Sequence, residues 1–449
     1  MKTKKPKTFK KGGVHPPENK ISANIPIKKL DLPKQVVISM IQHLGAPGIP
    51  VVKQGDTVKV GTLIAKPGAF ISANIHSSVS GRVVKIGKVL GASGYKHDAI
   101  VIDVEGDEWE ESIDRSEDLV KEIEPEPEAI VEKIKEMGIV GLGGATFPSH
   151  IKYMVSEKRR ADTLVVNGVE CEPYITGDHR LMIERPDEIM VGIQIMMKAG
   201  RVNRAKIGIE VNKPDAIEIM QAKAREYPGV EVVPLQIRYP QGAEKQLIKA
   251  LLNREIPSGK LPLDVGVIIN NVATSVAIYE GVQKNKPLIE RVVTVTGKKL
   301  KRTGNFLARI GIPSFMLLEA LGEEIPENTA KIIRGGPMMG KALNSLEVPM
   351  SKAASGLLFI DESEARRKEQ KNCIRCARCA QACPMGLEPY LLEKLAIKEF
   401  FERCETESIV DCIECGCCSF TCPAQIPLLD YIRYGKVNVM RINRERRQK

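Results

Sequence analysis

Two cysteine runs near the C-terminus carry the most specific chemistry in the chain. Cys373, Cys376, Cys379 and Cys383 form a C-x2-C-x2-C-x3-C run followed by Pro384, and Cys412, Cys415, Cys418 and Cys422 repeat it before Pro423. Thiolates at this spacing ligate [4Fe-4S] clusters: three close cysteines wrap one cubane while the fourth, pointing away, reaches the other cluster. Cys373, Cys376, Cys379 and Cys422 are therefore expected to hold one cluster, and Cys412, Cys415, Cys418 and Cys383 the second. Structural zinc also takes four thiolates, but it joins two C-x2-C hooks across a spacer, and a triplet plus Cys-Pro occurring twice fits iron better. Cys417 breaks the spacing and Cys404 sits in the helical stretch between the runs, so both read as packing thiols. Paired clusters conduct electrons one at a time, which makes electron transfer the expected activity.

The elements that must position these groups follow from hydrophobic patterning. A helical stretch from Glu388 to Glu405 separates the runs, and a helical two-cluster domain is expected over 361–430, followed by a basic tail at 431–449. Between 129 and 285, apolar strand-like runs such as TLVVN, AKIGIEV and VGVIINN alternate with helical stretches such as DAIEIMQAKARE. That alternation predicts a mostly parallel sheet covered by helices, with ligands where strand C-termini meet loops. Short glycine-punctuated β runs predict an all-β unit at 45–105, after an extension at 1–44. Charge and proline in the acidic segment 106–128 predict an unpacked linker, and 286–360 reads as a small α+β module.

Two loops in the α/β unit draw attention. GLGGATFP at 141–148 has the glycines that let backbone N–H groups face a phosphate, although it is neither a Walker A loop nor a strand-first dinucleotide fingerprint. VVNGVECEP places Asn167, Glu170 and Glu172 directly after an apolar strand, where side chains face a ligand crevice. Alone, each also reads as an ordinary loop.

Together the loops resemble the flavin-binding subunit of respiratory complex I, and nearly the whole chain is similar to the RnfC family of Rnf electron-transport complexes. FKKGGVHPPENK looks like that family's N-terminal signature, with Lys-Gly-Gly-Val-His in place of Phe-Gly-Gly-Ile-His. Gly141, Gly143, Gly144, Phe147 and Lys152 match the flavin-loop pattern, and Asn167, Glu170 and Glu172 the acidic motif after it. Gly242 and Glu244 match a Gly-Glu-Glu loop from which Ala243 departs, Asn270, Asn271 and Thr274 match a flavin-phosphate motif, and Val169 stands where complex I has aspartate. The resemblance implies non-covalent FMN at these residues, NAD(H) as substrate, and an NADH/ferredoxin oxidoreductase subunit. The implied fold is multidomain α/β and α+β: an N-terminal barrel-sandwich hybrid, a Rossmann-like flavin domain, an SLBB-like β-grasp module and a helical ferredoxin domain. The implied partners are a ferredoxin-facing iron–sulfur subunit and integral membrane subunits that move sodium or protons. A soluble corrinoid reductase of a bacterial microcompartment, built from the same domains, is the alternative within redox chemistry. The β unit lacks the lysine context of a carrier domain, since Lys66 precedes Pro67 and Gly68, and reads as a docking surface.

Bulk properties narrow the classes further. Length, 449 residues, suggests three or four domains. An aromatic content of 4% argues against a stacking surface for single strands, so no nucleic-acid partner is expected. The net charge of +11 gathers at Lys2, Lys4, Lys5, Lys7, Lys10 and Lys11 and at Arg441, Arg444, Arg446, Arg447 and Lys449; both ends read as solvated tails, able to meet anionic headgroups. No stretch reads as membrane-spanning or as a signal peptide. The expected location is peripheral, on the cytoplasmic face of a membrane.

Overall fold

The computed structural model describes residues 5–91, 94–154 and 160–448. Lys2, Lys4 and Lys449, and the side chain of Arg447, lie outside the described residues.

At its centre is a parallel sheet of four strands, β1 (Thr163–Asn167), β2 (Ala205–Glu210), β3 (Val230–Leu235) and β4 (Val267–Asn271), in the order β3-β2-β1-β4. Its strands read as near-continuous Val/Ile runs because helices cover both faces. The helices are α1 (Pro127–Glu136), α2 (Gly177–Glu184), α3 (Pro186–Gly200), α4 (Pro214–Ala224), α5 (Glu244–Leu252) and α6 (Val272–Gln283). Proline opens α1, α3 and α4, where its missing N–H costs nothing and its fixed φ suits the first turn. α3 lies against α6 so closely that a Cβ on Gly192 would collide with the Ser275 carbonyl.

Strand order reverses at β1, whose chain continues to β2 on one side while β4 flanks it on the other. That switch point opens a crevice above the C-terminal ends of β1 and β4, where Asn167 lies opposite Asn271.

The N-terminal β unit consists of a four-stranded sheet (Gln35–Ser39, Lys96–Val104, Gly81–Leu90, Thr57–Val58) and a three-stranded one (Ile49–Pro50, Leu63–Lys66, Ile75–His76). Two of its boundaries differ from the sequence reading. The expected extension supplies the edge strand Gln35–Ser39 here and the strand Ile27–Lys29 to the six-stranded sheet of the module, pairing with Gly304–Arg309. Barrel residues Ile38, Ile100 and Ile102 also share one core with module residues Val293, Phe306 and Leu357.

The acidic segment 106–128 is packed, contrary to expectation. Ile113 is buried, Asp114 pairs with Lys284 at 2.6 Å, and the Ile123 carbonyl accepts from Lys198 Nζ at 2.8 Å. Its charges are spent on the flank of the α/β domain. The basic C-terminus likewise belongs to a helix, Leu428–Gln448, which buries Ile432 and Val439. The Glu388–Glu405 stretch divides into Pro389–Ile397 and Phe401–Thr406, with Glu399 between them at φ 56°.

Lys352 ties three bodies together. It is 1% exposed, and its Nζ donates to the carbonyls of Gly138, at the start of the α/β domain, and Asn74, in the barrel, at 2.7 and 3.3 Å. Burial pushes its ammonium down to about 7 from an ordinary 10.5. Between those values the unfolded chain binds the proton that the fold refuses, so stability falls as pH drops from about 10.5 toward about 7, with a limiting slope of about 1.4 kcal/mol per pH unit. Lys352→Met is expected to flatten that slope in urea denaturation midpoints taken between pH 7 and 10; an unchanged slope would assign it to other groups.

Candidate functional site

The crevice at the switch point is built by the polar ends of β1 and β4. Asn271 caps α6, its Oδ1 accepting from the N–H groups of Ala273 and Thr274 at 2.8 and 3.4 Å. Its Nδ2 donates to Asn167 O at 3.3 Å and to Asp178 Oδ2 at 2.6 Å. Asn167 in turn donates from Nδ2 to Gly242 O at 2.9 Å, which brings the β3–α5 loop to the crevice. Thr274 Oγ1 accepts from Leu142 N at 2.9 Å and fastens the glycine loop over the start of α6.

The glycine loop closes through Gly141 N to Phe147 O at 2.9 Å. Gly143, Gly144 and Ala145 are exposed, and among the described residues their amide N–H groups make no hydrogen bond to the protein. A Cβ on Gly144, which has φ +125°, would meet nothing within 4 Å. Unpaired amides facing open space beside a helix N-terminus fit a phosphate. Lys152 lies nearby, donating to Ile269 O at 2.8 Å and Asn270 Oδ1 at 3.3 Å, and burial holds its ammonium below its ordinary range. Glu244 opens α5, and desolvation pushes its carboxyl up against the opposing pull of Lys152 and Lys245.

Three expected ligands are held by hydrogen bonds within the protein. Glu170, at φ 46°, accepts from the N–H groups of Asp178 and His179 at 2.7 and 3.1 Å, so its carboxylate caps α2. Asn270 is buried and donates to the Tyr153 hydroxyl at 2.5 Å. Glu172 accepts from Met338 N and Met339 N at 3.1 and 2.8 Å, binding the acidic loop to the module, and desolvation pushes its carboxyl up to about 7.

Four of the expected cluster ligands converge on one recess. Cys383, Cys412, Cys415 and Cys418 line it, together with Cys417, Pro384, Leu392 and Ile432. Cys379 neighbours Cys422, both buried, while Cys373 and Cys376 are exposed. Burial pushes the thiols of Cys412 and Cys418 up to about 11 and about 12. Among the described residues no three His, Cys, Asp or Glu side chains are close enough to hold a single metal ion; the thiols of Cys383, Cys412, Cys415 and Cys418, spread around a recess, suit a larger group. Cys404 and Cys417 are fully buried, Cys417 against Tyr239.

The recess is joined to the crevice. Gly242 N lies 3.4 Å from Cys171 Sγ, and the Tyr239 hydroxyl donates to Cys415 O at 2.9 Å. Gln246 reaches the Pro384 carbonyl at 3.3 Å. The N-terminal signature threads the same seam: Gly12, at φ +67°, approaches so closely that a Cβ would lie 2.5 Å from the Cys383 carbonyl, and Gly13 N donates to Ala382 O at 2.9 Å. Only glycine fits there.

Residues 134–280 match the Nuo51 FMN-binding domain, and 7–107 the RnfC barrel sandwich hybrid domain. The chain is 46% identical to the C component of the proton-translocating ferredoxin:NAD(+) oxidoreductase complex of Clostridium ljungdahlii, over 96% of this chain and 93% of that one. The chain belongs to the RnfC family. It is also 39% identical to the C component of the Na(+)-translocating ferredoxin:NAD(+) oxidoreductase complex of Acetobacterium woodii, over 96% of this chain and 97% of the relative. Among solved structures, an NAD+-reducing [NiFe]-hydrogenase in the H2-reduced state aligns with 70% of this chain and 61% of its own at TM-score 0.49 and 18% identity, too remote to weigh.

In this RnfC-family chain, the residues that grip the acidic loop escaped the sequence reading. Lys20 Nζ donates to the carbonyls of Glu170, Glu172 and Ile175 at 2.7, 2.9 and 2.6 Å, and Lys213 Nζ to Val169 O at 2.7 Å. Asp178 shares the crevice with Asn271, and burial beside Glu170 pushes its carboxyl up to about 7. Lys20 closes the N-terminal signature, so a signal existed without a visible target; a buried Lys213 carried none.

Proposed function

We propose that this chain exchanges hydride with NAD(H) at an FMN bound in the β1/β4 crevice and passes electrons singly through two [4Fe-4S] clusters. Bound there, the flavin supplies the junction between two-electron and one-electron chemistry, and the clusters supply conduction. The amides of Gly143, Gly144 and Ala145 and the Lys152 ammonium bind the flavin phosphate. Asn167, Asn271 and Thr274 hold the crevice in shape, with Gly141 and Gly242 keeping it open, while Phe147 and Glu244 flank the nucleotide. Glu170 and Asn270 act as positioning residues. Cys412, Cys415, Cys418 and Cys383 hold the cluster nearer the flavin, and Cys373, Cys376, Cys379 and Cys422 the one nearer the surface.

The observation that carries this reading is the meeting of Cys383 with Cys412, Cys415 and Cys418 in one recess, one hydrogen bond from Tyr239 and beside the crevice loop. Segments 286–360 and 361–430 act in it as an SLBB-like module and a helical ferredoxin domain. The chain would serve as the C component of an ion-translocating ferredoxin:NAD oxidoreductase complex, since relatives matching it almost end to end carry that name. Among the described residues no helix is long and apolar enough to cross a membrane, so ion movement falls to other members of the complex and this one sits peripherally, on the cytoplasmic face. The corrinoid-reductase reading has no support from these relatives.

The test is NADH-driven reduction of an artificial acceptor by the isolated chain, reconstituted anaerobically with iron, sulfide and FMN. NADH is expected to bleach the flavin band and then the broad iron–sulfur absorption. Colourless, zinc-loaded protein without acid-labile sulfide would defeat the proposal.

A further inference from the structure

The two cysteine sets differ in access to solvent, and the exposed one lies in an unusual charge environment. From 366 to 377 the chain has no regular secondary structure and every residue is exposed. This stretch and the helix start after it carry Arg366, Arg367, Lys368, Lys371, Arg375 and Arg378 against a single acid, Glu369. Of these cations only Arg367 has a carboxylate partner among the described residues, Asp430 at 2.7 Å. Elsewhere the chain pairs many of its surface cations; here, among the described residues, all but Arg367 lack a carboxylate partner. Among them lie Cys373, Cys376 and Ile374, the last 69% exposed. Lys371 N donates to Ala424 O at 2.9 Å, which lays the segment beside Cys422, and Phe420, two residues before that cysteine, is 50% exposed.

We propose that segment 366–378, with Ile374 and Phe420, is the docking surface for an acidic protein that carries one electron at a time. This rests on the cluster assignment above. A centre held by exposed thiolates offers the shortest path to a partner, and an apolar contact ringed by one sign of charge steers and orients a carrier of the opposite sign. An anionic membrane would match the charge too, but headgroups take no electron, and the cations here are interleaved with the thiols rather than gathered on a separate face. In each encounter one electron leaves the reduced cluster of the Cys373 set, which returns to its oxidised state, and the carrier is reduced by one electron. No bond forms or breaks and no proton need move. NADH, through the reaction proposed above, or dithionite in vitro supplies the electron.

The experiment uses the full, cluster-loaded chain, reduced with dithionite and mixed in a stopped-flow instrument with flavodoxin as the acidic probe or cytochrome c as the basic one. In the triple variant Lys371→Glu, Arg375→Glu, Arg378→Glu the second-order rate with flavodoxin is expected to fall on the order of tenfold or more at low salt, and the difference to close at high salt. The rate with cytochrome c should hold or rise, and iron content and the paramagnetic signals should match the parent. Should the triple variant lose iron, the pair Arg366→Glu, Lys368→Glu, farther from the thiols, replaces it and is expected to show a smaller fall of the same sign. An unchanged flavodoxin rate in iron-replete variants overturns the proposal. So does loss of binding to phosphatidylserine vesicles with that rate intact, which would make the segment a membrane contact. A parent chain that takes up no iron and sulfide fails the cluster assignment instead, and is told apart by its analysis before any mixing.

Discussion

Alanine at Cys383 and alanine at Cys415 are expected to remove the same irons. Although Cys383 belongs to the first run in sequence, it lines the recess with Cys412, Cys415 and Cys418, while Cys422 of the second run neighbours Cys379. The reconstituted parent should carry about eight irons, each single variant about four, and the double variant Cys383→Ala/Cys415→Ala still about four. Cys383→Ala with Cys376→Ala should leave almost none. If each run wrapped its own cluster, the two double variants would exchange results, so iron and sulfide analysis decides between crossed and uncrossed ligation without any activity measurement. Cys376→Ala alone is expected to spare FMN, because its thiol is exposed and takes no part in the hydrogen bonds that join the recess to the crevice. Crossing also makes each cluster a staple between the halves of the domain, so each single variant should melt at a lower temperature than the parent.

What the sequence disclosed and what it hid divide along contact distance. The nearness of Cys383 to Cys412, Cys415 and Cys418 was legible because the fourth cysteine of such a run is expected to point away from the other three. The parallel sheet was legible because strands covered on both faces leave unbroken apolar runs such as VIINN, which ends on the Asn271 that caps α6. Glu170 and Glu172 also make hydrogen bonds within the protein that the sequence did not announce. A carboxylate after a strand looks the same whether it meets a ligand or the N–H groups of residues 8 or 166 positions away. Lys20 grips carbonyls 150 to 155 residues distant, which no local pattern announces. Charge misled twice. The acidic segment looked unpackable, yet its carboxylates and carbonyls answer Lys284 and Lys198, and the arginine-rich C-terminus hid the seven-residue spacing of Ile432 and Val439 that seats its helix.

Gly143→Asp is expected to empty the flavin site and leave the irons in place. Gly143 is exposed in the cradle, and a Cβ there would lie 3.1 Å from Asn271 Cβ, tight but within reach of a small adjustment. Its φ lies outside the left-handed region, so neither alanine nor aspartate is barred by the backbone. The carboxylate, however, would occupy the space faced by the free amides of Gly144 and Ala145 and satisfy them in place of a phosphate. At a few ångströms from a bound phosphate, its charge should weaken FMN binding on the order of a hundredfold or more. Gly143→Ala adds the same Cβ without the charge and should weaken binding only several-fold; Lys152→Met, which removes the nearby cation, should fall between them. Fluorescence titration with FMN measures all three, and iron analysis controls for folding. Equal losses in the alanine and aspartate variants would make the loop's role steric and move the phosphate elsewhere, whereas a graded series in which charge sets the order ties these amides to an anionic ligand.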